Sequence, residues 1–241
     1  MTAAPRAPAY DFAAEGSAVR LVMSCAEVVL RASGALWLER ERALIAADVH
    51  FEKGSAYAAR GQMLPPYDTR DALRRLSEEA AALGPRMIVM LGDAFHDAAA
   101  ETRLAAEDAV ALVALARGRT LAWVVGNHDP APPRSLPGEP ADALELSGLH
   151  LRHEPGPGLV SGEAAGHLHP CARISAGGRS VRRRCFVTDG ERLILPAFGA
   201  YAGGLNIRDA AFAGLFARPP LAVALGPRRA HAVGWWSTVG D

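Results

Sequence analysis

Ala43-Leu44-Ile45-Ala46-Ala47-Asp48-Val49-His50 is a short apolar run that ends on a carboxylate and an imidazole. The pattern recurs twice. Arg86 to Leu91 leads into Gly92-Asp93, and Thr120 to Val125 leads into Gly126-Asn127-His128-Asp129. Between the runs, Asp68 to Leu83 places apolar residues at helical spacing and stops at Gly84-Pro85. Glu101 to Arg117 reads as a second helix, stopped by Gly118. Strand, helix, strand, helix, strand predicts βαβ units and a parallel sheet. In such sheets sites gather beyond the C-terminal strand ends, so Asp48, Asp93 and Asn127 are predicted to share one rim.

Outward from this unit, Glu27 to Leu30 and Ala35 to Leu38 flank Ser33-Gly34 and predict a β-hairpin. Ala131 to Pro140 is Pro-rich and reads as a loop. Short β-type runs follow at Leu149 to Arg152, Gly158 to Gly166, Ala172 to Ser175, Arg184 to Thr188 and Arg192 to Leu195. They predict a second, more antiparallel sheet with His153, His167 and His169 on its loops. Ala222 to Leu225 and Ala230 to Val233 read as edge strands. Two sheets facing each other with helices outside is the expected packing.

The 241 residues, half of them hydrophobic, suit one domain with a full core. Residues 1–18 read as a flexible N-terminal tail and 19–241 as a single domain. The tail is Ala/Pro-rich and lacks the basic start and apolar run of a signal peptide. No run of 18 uninterrupted apolar residues predicts a membrane span, and a cytoplasmic location is expected. Cys25, Cys171 and Cys185 are too few and too scattered for a disulfide framework. Cys171, close to His169, reads as a small buried hydrophobe.

Formal net charge is zero, which argues against a protein that coats nucleic acid nonspecifically. Arg179, Arg182, Arg183 and Arg184 form the best basic patch, with Arg183 a candidate substrate contact. Of 26 basic residues only Lys53 is a lysine, and it follows His50 by three positions. An ammonium on a flexible stem is not interchangeable with a guanidinium, so Lys53 is a candidate for a specific task at the site.

Five of the eight histidines fall in four short motifs, three of which also carry Asp, Asn or Glu: Asp48-Val49-His50, Gly126-Asn127-His128-Asp129, His153-Glu154-Pro155 and Gly166-His167-Leu168-His169. Gly92-Asp93 completes the ordered set. Carboxylate, amide oxygen and imidazole are the donors that hard and borderline divalent metals take. Each fragment alone is an ordinary turn; in order and at strand ends, they predict a divalent-metal centre, expected to hydrolyse phosphate esters.

This set resembles the calcineurin-like metallophosphoesterase superfamily, which implies a four-layer α-β-β-α sandwich. More narrowly, His50-Phe51-Glu52-Lys53-Gly54, Gly92-Asp93-Ala94-Phe95-His96-Asp97, Gly166-His167-Leu168-His169-Pro170, Leu195-Pro196-Ala197-Phe198-Gly199 and Gly203-Gly204-Leu205-Asn206 resemble the bacterial ligase-associated DNA damage response endonucleases. The resemblance implies two divalent ions, expected to be Mn²⁺, with Fe, Zn, Ni or Co also compatible. Two such cations about 3.5–4 Å apart clamp the attacking and leaving oxygens of an in-line displacement. By resemblance Asp93 bridges them, Asp48, His50 and His169 complete the first, and Asn127, His153 and His167 the second. His150 competes with His153, which is preferred because Glu154-Pro155 ends the strand there. In Asp48-Val49-His50 and His167-Leu168-His169 the outer two residues converge if the chain is extended.

The implied nucleophile is a hydroxide on the metals, and His128 the implied transition-state stabiliser and proton donor to the leaving oxygen. Asp129 is placed to accept the other ring N–H of His128. His96 and Asp97 are candidates for orienting ligands or touching substrate. The implied activity is a DNA endonuclease working in repair beside an ATP-dependent ligase, a helicase and an exonuclease. Two rivals stand beside it. One is a small-molecule phosphatase or cyclic-nucleotide phosphodiesterase of the same fold. The other is a non-catalytic repair scaffold, which the complete ligand set disfavours.

Overall fold

Ala43–Ala47 is buried along its whole length because its sheet is covered on both faces. In the computed structural model, which describes Tyr10, residues 12–24 and residues 26–241, that strand is the fifth of an eight-stranded sheet. Among the described residues the sheet runs in chain order: β1 (Phe12–Glu15), β2 (Ala18–Met23), β3 (Ala26–Leu30), β4 (Leu36–Leu38), β5 (Ala43–Ala47), β6 (Met87–Leu91), β7 (Thr120–Val124) and β8 (Glu139–Ala141). Neighbours from β1 to β5 are antiparallel, and those from β5 to β8 are parallel. Its outer face carries α1 (Lys53–Ala58), α2 (Asp68–Leu83), α3 (Ala100–Arg103) and α4 (Ala106–Ala116).

The second sheet comprises β9 (Ala143–Leu146), β10 (Leu149–Arg152), β11 (Glu163–Ala165), β12 (Cys171–Ala176), β13 (Arg179–Thr188), β14 (Arg192–Ile194), β15 (Leu221–Leu225), β16 (Ala230–Gly234) and β17 (Thr238–Val239). Its main path is β16-β15-β13-β14-β11-β10-β9, with β12 between the long end of β13 and β17. β11 pairs in parallel with β10 and β14; the other pairs are antiparallel.

The strand pleat sorts the core into layers. Ile45, Ala47, Val89 and Leu91 turn inward and meet Leu149, Leu151, Phe186, Leu193 and Val223 of the facing sheet. Leu44, Ala46, Ile88 and Met90 turn outward onto Leu73, Leu76, Ala80, Leu112 and Leu115 of the helices. On the far side, 3-10 turns at Ala210–Phe212 and Trp235–Ser237 belong to the outer layer, where Phe212 and Trp235 pack with Cys185 and Val187. The fold is thus mixed α/β, two sheets flanked by helices. Among the described residues, no helix is long and apolar enough to cross a membrane.

Several elements differ from the sequence reading. Phe12–Glu15, inside the expected tail, hydrogen-bonds in register with Ala18–Leu21, so the described structure starts before residue 19. Cys25 lies outside the described residues. The expected Glu101–Arg117 helix is two helices, because Leu104 and Ala105 turn extended and Leu104 packs into the helical layer. Glu139 and Pro140, expected in a loop, form most of β8. Of Gly158 to Gly166 only Glu163–Ala165 is a strand. β15 is not an edge: it pairs with β13 on one side and β16 on the other.

Candidate metal centre

Asp48 follows β5, Asp93 follows β6 and Asn127 follows β7, so the parallel register delivers all three to one rim. The second sheet delivers His153 from the end of β10, and His167 and His169 from the loop after β11. Convergence does not come from extended backbone. Asp48 (φ 51°), His50 (50°), Asp93 (46°), His167 (68°) and His169 (46°) all occupy the left-handed region. For non-glycine residues that conformation costs roughly 1–2 kcal/mol each. Surrounding hydrogen bonds hold it: Asp48 N–H to the Gly92 carbonyl, His50 N–H to the Asp93 carbonyl, and His167 N–H to both Asp48 carboxylate oxygens at 3.1 and 2.9 Å. Strain of this kind clusters at functional sites.

Two donor groups result. Asn127 Oδ1 lies 2.9 Å from both His153 Nε2 and His167 Nδ1, which are 3.2 Å apart. Asp48 Oδ1 lies 3.3 Å from His169 Nε2, which is 3.3 Å from His50 Nε2. Asp93 stands between the groups. Its Oδ1 is 3.5 Å from His153 Nε2, and its Oδ2 is 4.0 Å from His50 Nε2.

The donors fit divalent cations on three counts. Asp48 and Asp93 are buried, and among the described residues neither pairs with an arginine or lysine. Buried carboxylates need such compensation from a cation. Burial, with His169 next in weight, holds the His50 imidazole down at about 2, so its lone pair is free. Finally, ring nitrogens face one another in pairs at 3.3 and 3.2 Å, a spacing at which a neutral pair shares at most one proton and leaves a lone pair toward the cluster.

Glycines make the approach possible. A β-carbon on Gly92 would collide with the His153 ring, one on Gly126 with Asp93, and one on Gly199 with the Val49 carbonyl. His150, the alternative to His153, sits on β10 and pairs with Glu145 at 2.9 Å, away from the cluster.

His128 presents a half-exposed ring beside the cluster. Its backbone N–H donates to Asp93 Oδ1 at 2.8 Å, and its Nε2 is 4.0 Å from Asp93 Oδ2. Its Nδ1 meets the His96 carbonyl at 2.8 Å, so that carbonyl, not Asp129, orients the ring. The Asp129 carboxylate instead accepts the backbone N–H groups of Phe95 (3.0 Å) and Gly126 (3.1 Å), tying together the loops after β6 and β7. Burial pushes its pKa up to about 6.

His96 stacks on His128, with centroids 5.2 Å apart, and burial lowers its pKa to about 4. Lys53 is half-buried at the start of α1. Burial lowers its pKa against the opposing pull of Asp68 and Asp93. Asp97 is occupied by Arg103 at 2.9 and 3.0 Å and by the Ala99 N–H, away from the ligand groups. Arg183 is exposed on β13, and its side chain donates to the Arg182 carbonyl.

Two neighbours were not singled out in the sequence. Tyr57, one helical turn after Lys53, lies with its ring 5.9 Å from His96. Glu154 Oε1 is 4.0 Å from His167 Nδ1. The i, i+4 spacing from Lys53 was the available signal for Tyr57.

Residues 41–183 match the calcineurin-like phosphoesterase family. The Pseudomonas putida nuclease MPE, known from a crystal structure, is 27% identical, with a TM-score of 0.69 over 90% of this chain and 100% of its own. The E. coli phosphoesterase Yfce is 16% identical, covering 80% of this chain and 98% of its own, and its TM-score of 0.38 is too low to argue from. No curated protein matches the chain.

Proposed function

The chain belongs to the calcineurin-like phosphoesterase family and is a metal-dependent phosphoesterase, and from that premise we propose that it is a two-metal phosphodiesterase acting on nucleic acid. The observation that carries the reading is the placement of Asp93, whose two carboxylate oxygens address two different donor groups. Asp48, His50 and His169 would hold one cation and Asn127, His153 and His167 the other, with Asp93 shared. Divalent cations there supply charge for the phosphoryl oxygens and acidify a water enough to attack near neutral pH. Manganese is the proposed metal; the mixed nitrogen and oxygen donors equally accept Fe, Zn, Ni or Co.

The protein's own part is positioning and proton transfer. With Nδ1–H given to the His96 carbonyl, His128 keeps Nε2 toward the reacting side. From there it protonates the leaving oxygen. Lys53 and a neutral His96 flank it and are suited to meeting phosphate oxygens. Similarity to a nuclease supports a nucleic-acid substrate. The motif resemblance extends the proposal to an endonuclease in DNA repair that works beside an ATP-dependent ligase, a helicase and an exonuclease.

The test is hydrolysis of an aryl phosphodiester and its matching monoester by the Mn²⁺-loaded protein, followed by a labelled single-stranded oligonucleotide. Diester preference, abolished by chelator, with internal cleavage of the oligonucleotide, is expected. Monoester preference would make the protein a phosphatase instead.

A further inference from the structure

Two adjoining surface clefts meet at Pro227. One is lined by Arg182, Arg183 and Arg184 on β13 together with Ala32, Leu225 and Gly226. The other is lined by Arg228 and Arg229 from the β15–β16 turn and His231 of β16 together with Gly16 and Ser17. Among the described residues no carboxylate lines either cleft, although the chain carries 26 acidic residues against 26 basic ones. A third cleft shares Arg184, Pro227 and Arg228, but there Arg31, Arg74 and Arg75 are paired with Glu79, Glu78 and Asp71. Arg183, Arg228 and Arg229 are exposed and, among the described residues, have no carboxylate partner. Among the described residues, Arg182 donates to the Gly204 carbonyl, and its one carboxylate neighbour is Asp241, at 3.7 Å.

Arg184 links the face to the catalytic rim. Arg184 donates to the carbonyls of Ala197 at 2.8 Å and Gly199 at 2.9 Å, and the Gly199 N–H donates to the Asp48 carbonyl at 3.1 Å. A polyanion lying on these arginines therefore starts close to the metal ligands.

We propose that this arginine face is a track for the polynucleotide backbone, binding substrate phosphates remote from the scissile one. The inference rests on the nucleic-acid reading above and adds where the rest of the strand lies. Guanidinium groups bind phosphate oxygens through paired N–H donors, and backbone contacts supply affinity independent of sequence. A lipid surface fits less well, because none of the exposed large apolar side chains lines the clefts for insertion. Charge confined to one face also reconciles polyanion binding with zero net charge.

The experiment compares the Mn²⁺-loaded protein with an Arg183→Gln/Arg228→Gln/Arg229→Gln variant on a labelled single-stranded oligonucleotide and on an aryl phosphodiester, between about 50 and 200 mM salt. The variant is expected to raise the oligonucleotide KM about tenfold at low salt and to flatten the log–log salt slope by about 2, at about 0.7 per lost contact. Its kcat/KM on the aryl diester should match the parent's. An unchanged oligonucleotide KM and slope would overturn the track, as would equal losses on both substrates. If the parent cleaves the aryl diester but spares the oligonucleotide, the nucleic-acid reading itself fails and the track with it. If the variant keeps its oligonucleotide kinetics yet loses binding to phosphatidylserine vesicles, the face serves lipid and the proposal is wrong.

Discussion

Gly166 lies against the Asp48 carboxylate so closely that a β-carbon would come within 2.5 Å of Oδ2 and 3.0 Å of the Ala47 β-carbon. The flanking His167 N–H donates to that same carboxylate, and the Gly166 N–H donates to the His153 carbonyl. One small residue thus sets the spacing between the two donor groups. Gly166 is not in the left-handed region, so the constraint is space and not backbone conformation.

Gly166→Ala should therefore leave the fold intact and displace Asp48. Loss of ligand support typically lowers metal affinity about 10–100-fold. Calorimetric Mn²⁺ titration checks this, with Gly203→Ala as the control, since nothing lies within 4 Å of a β-carbon there. Equal Mn²⁺ affinity in Gly166→Ala and the parent would show that the contact does not set the donor spacing.

His128→Ala should cost about 10²–10⁴-fold in kcat on a nucleotide diester, the usual worth of a positioned acid. The cost should shrink on a p-nitrophenyl ester, whose leaving group departs without a proton. Asp129→Asn should not reproduce this leaving-group dependence, because the His96 carbonyl and not Asp129 holds the His128 ring. A leaving-group dependence equal to that of His128→Ala would restore Asp129 as the orienting group.

Apolar runs ending in Asp48, Asp93 and Asn127 were readable because buried parallel strands are continuous in the sequence and their C-terminal ends mark the rim. What the sequence concealed is tertiary. Left-handed backbone at five ligands carries only a weak local signal, since Asp and His adopt it more often than most residues but far less readily than glycine. The partner of the His128 ring is a carbonyl, which every residue has. Arg192 and Glu163 sit in short strands whose charge suggests solvent, yet both are buried because they form an ion pair and bond to backbone groups around them. Arg183 belongs to a readable basic run, but only the fold places that run in a cleft that reaches Pro227 of the β15–β16 turn.

Arg192 Nε lies 2.7 Å from Glu163 Oε1 as an ion pair, though out of line for a hydrogen bond. Its Nη atoms hold the carbonyls of Gly156, Gly158 and Leu215, while Glu163 accepts the Gly156 N–H. The network anchors the segment that follows His153. Arg192→Met leaves the buried Glu163 carboxylate only the Gly156 N–H and Arg152, 4.0 Å away, and should destabilise by about 3 kcal/mol, measured by urea denaturation. Adding Glu163→Gln should recover part of it. A loss below about 1 kcal/mol would mean that water reaches Glu163.

Burial pushes the Tyr10 hydroxyl up to about 12, against the opposing effect of Arg218, and that hydroxyl donates to the Pro219 carbonyl at 2.6 Å. In the unfolded chain tyrosine ionises near 10. Between these values the unfolded state sheds its proton and the folded state keeps it, so stability falls as pH rises from about 10 to 12. Below pH 10 the contribution is fully present. Tyr10→Phe should lower Tm at pH 9 through the lost hydrogen bond, yet show a shallower alkaline decline than the parent. The buried thiols Cys171 and Cys185 also titrate upward of their usual range and contribute equally in both proteins, so the difference isolates Tyr10. Parallel Tm curves from pH 9 to 12 would mean that the Tyr10 hydroxyl ionises in the folded protein as readily as in the unfolded one.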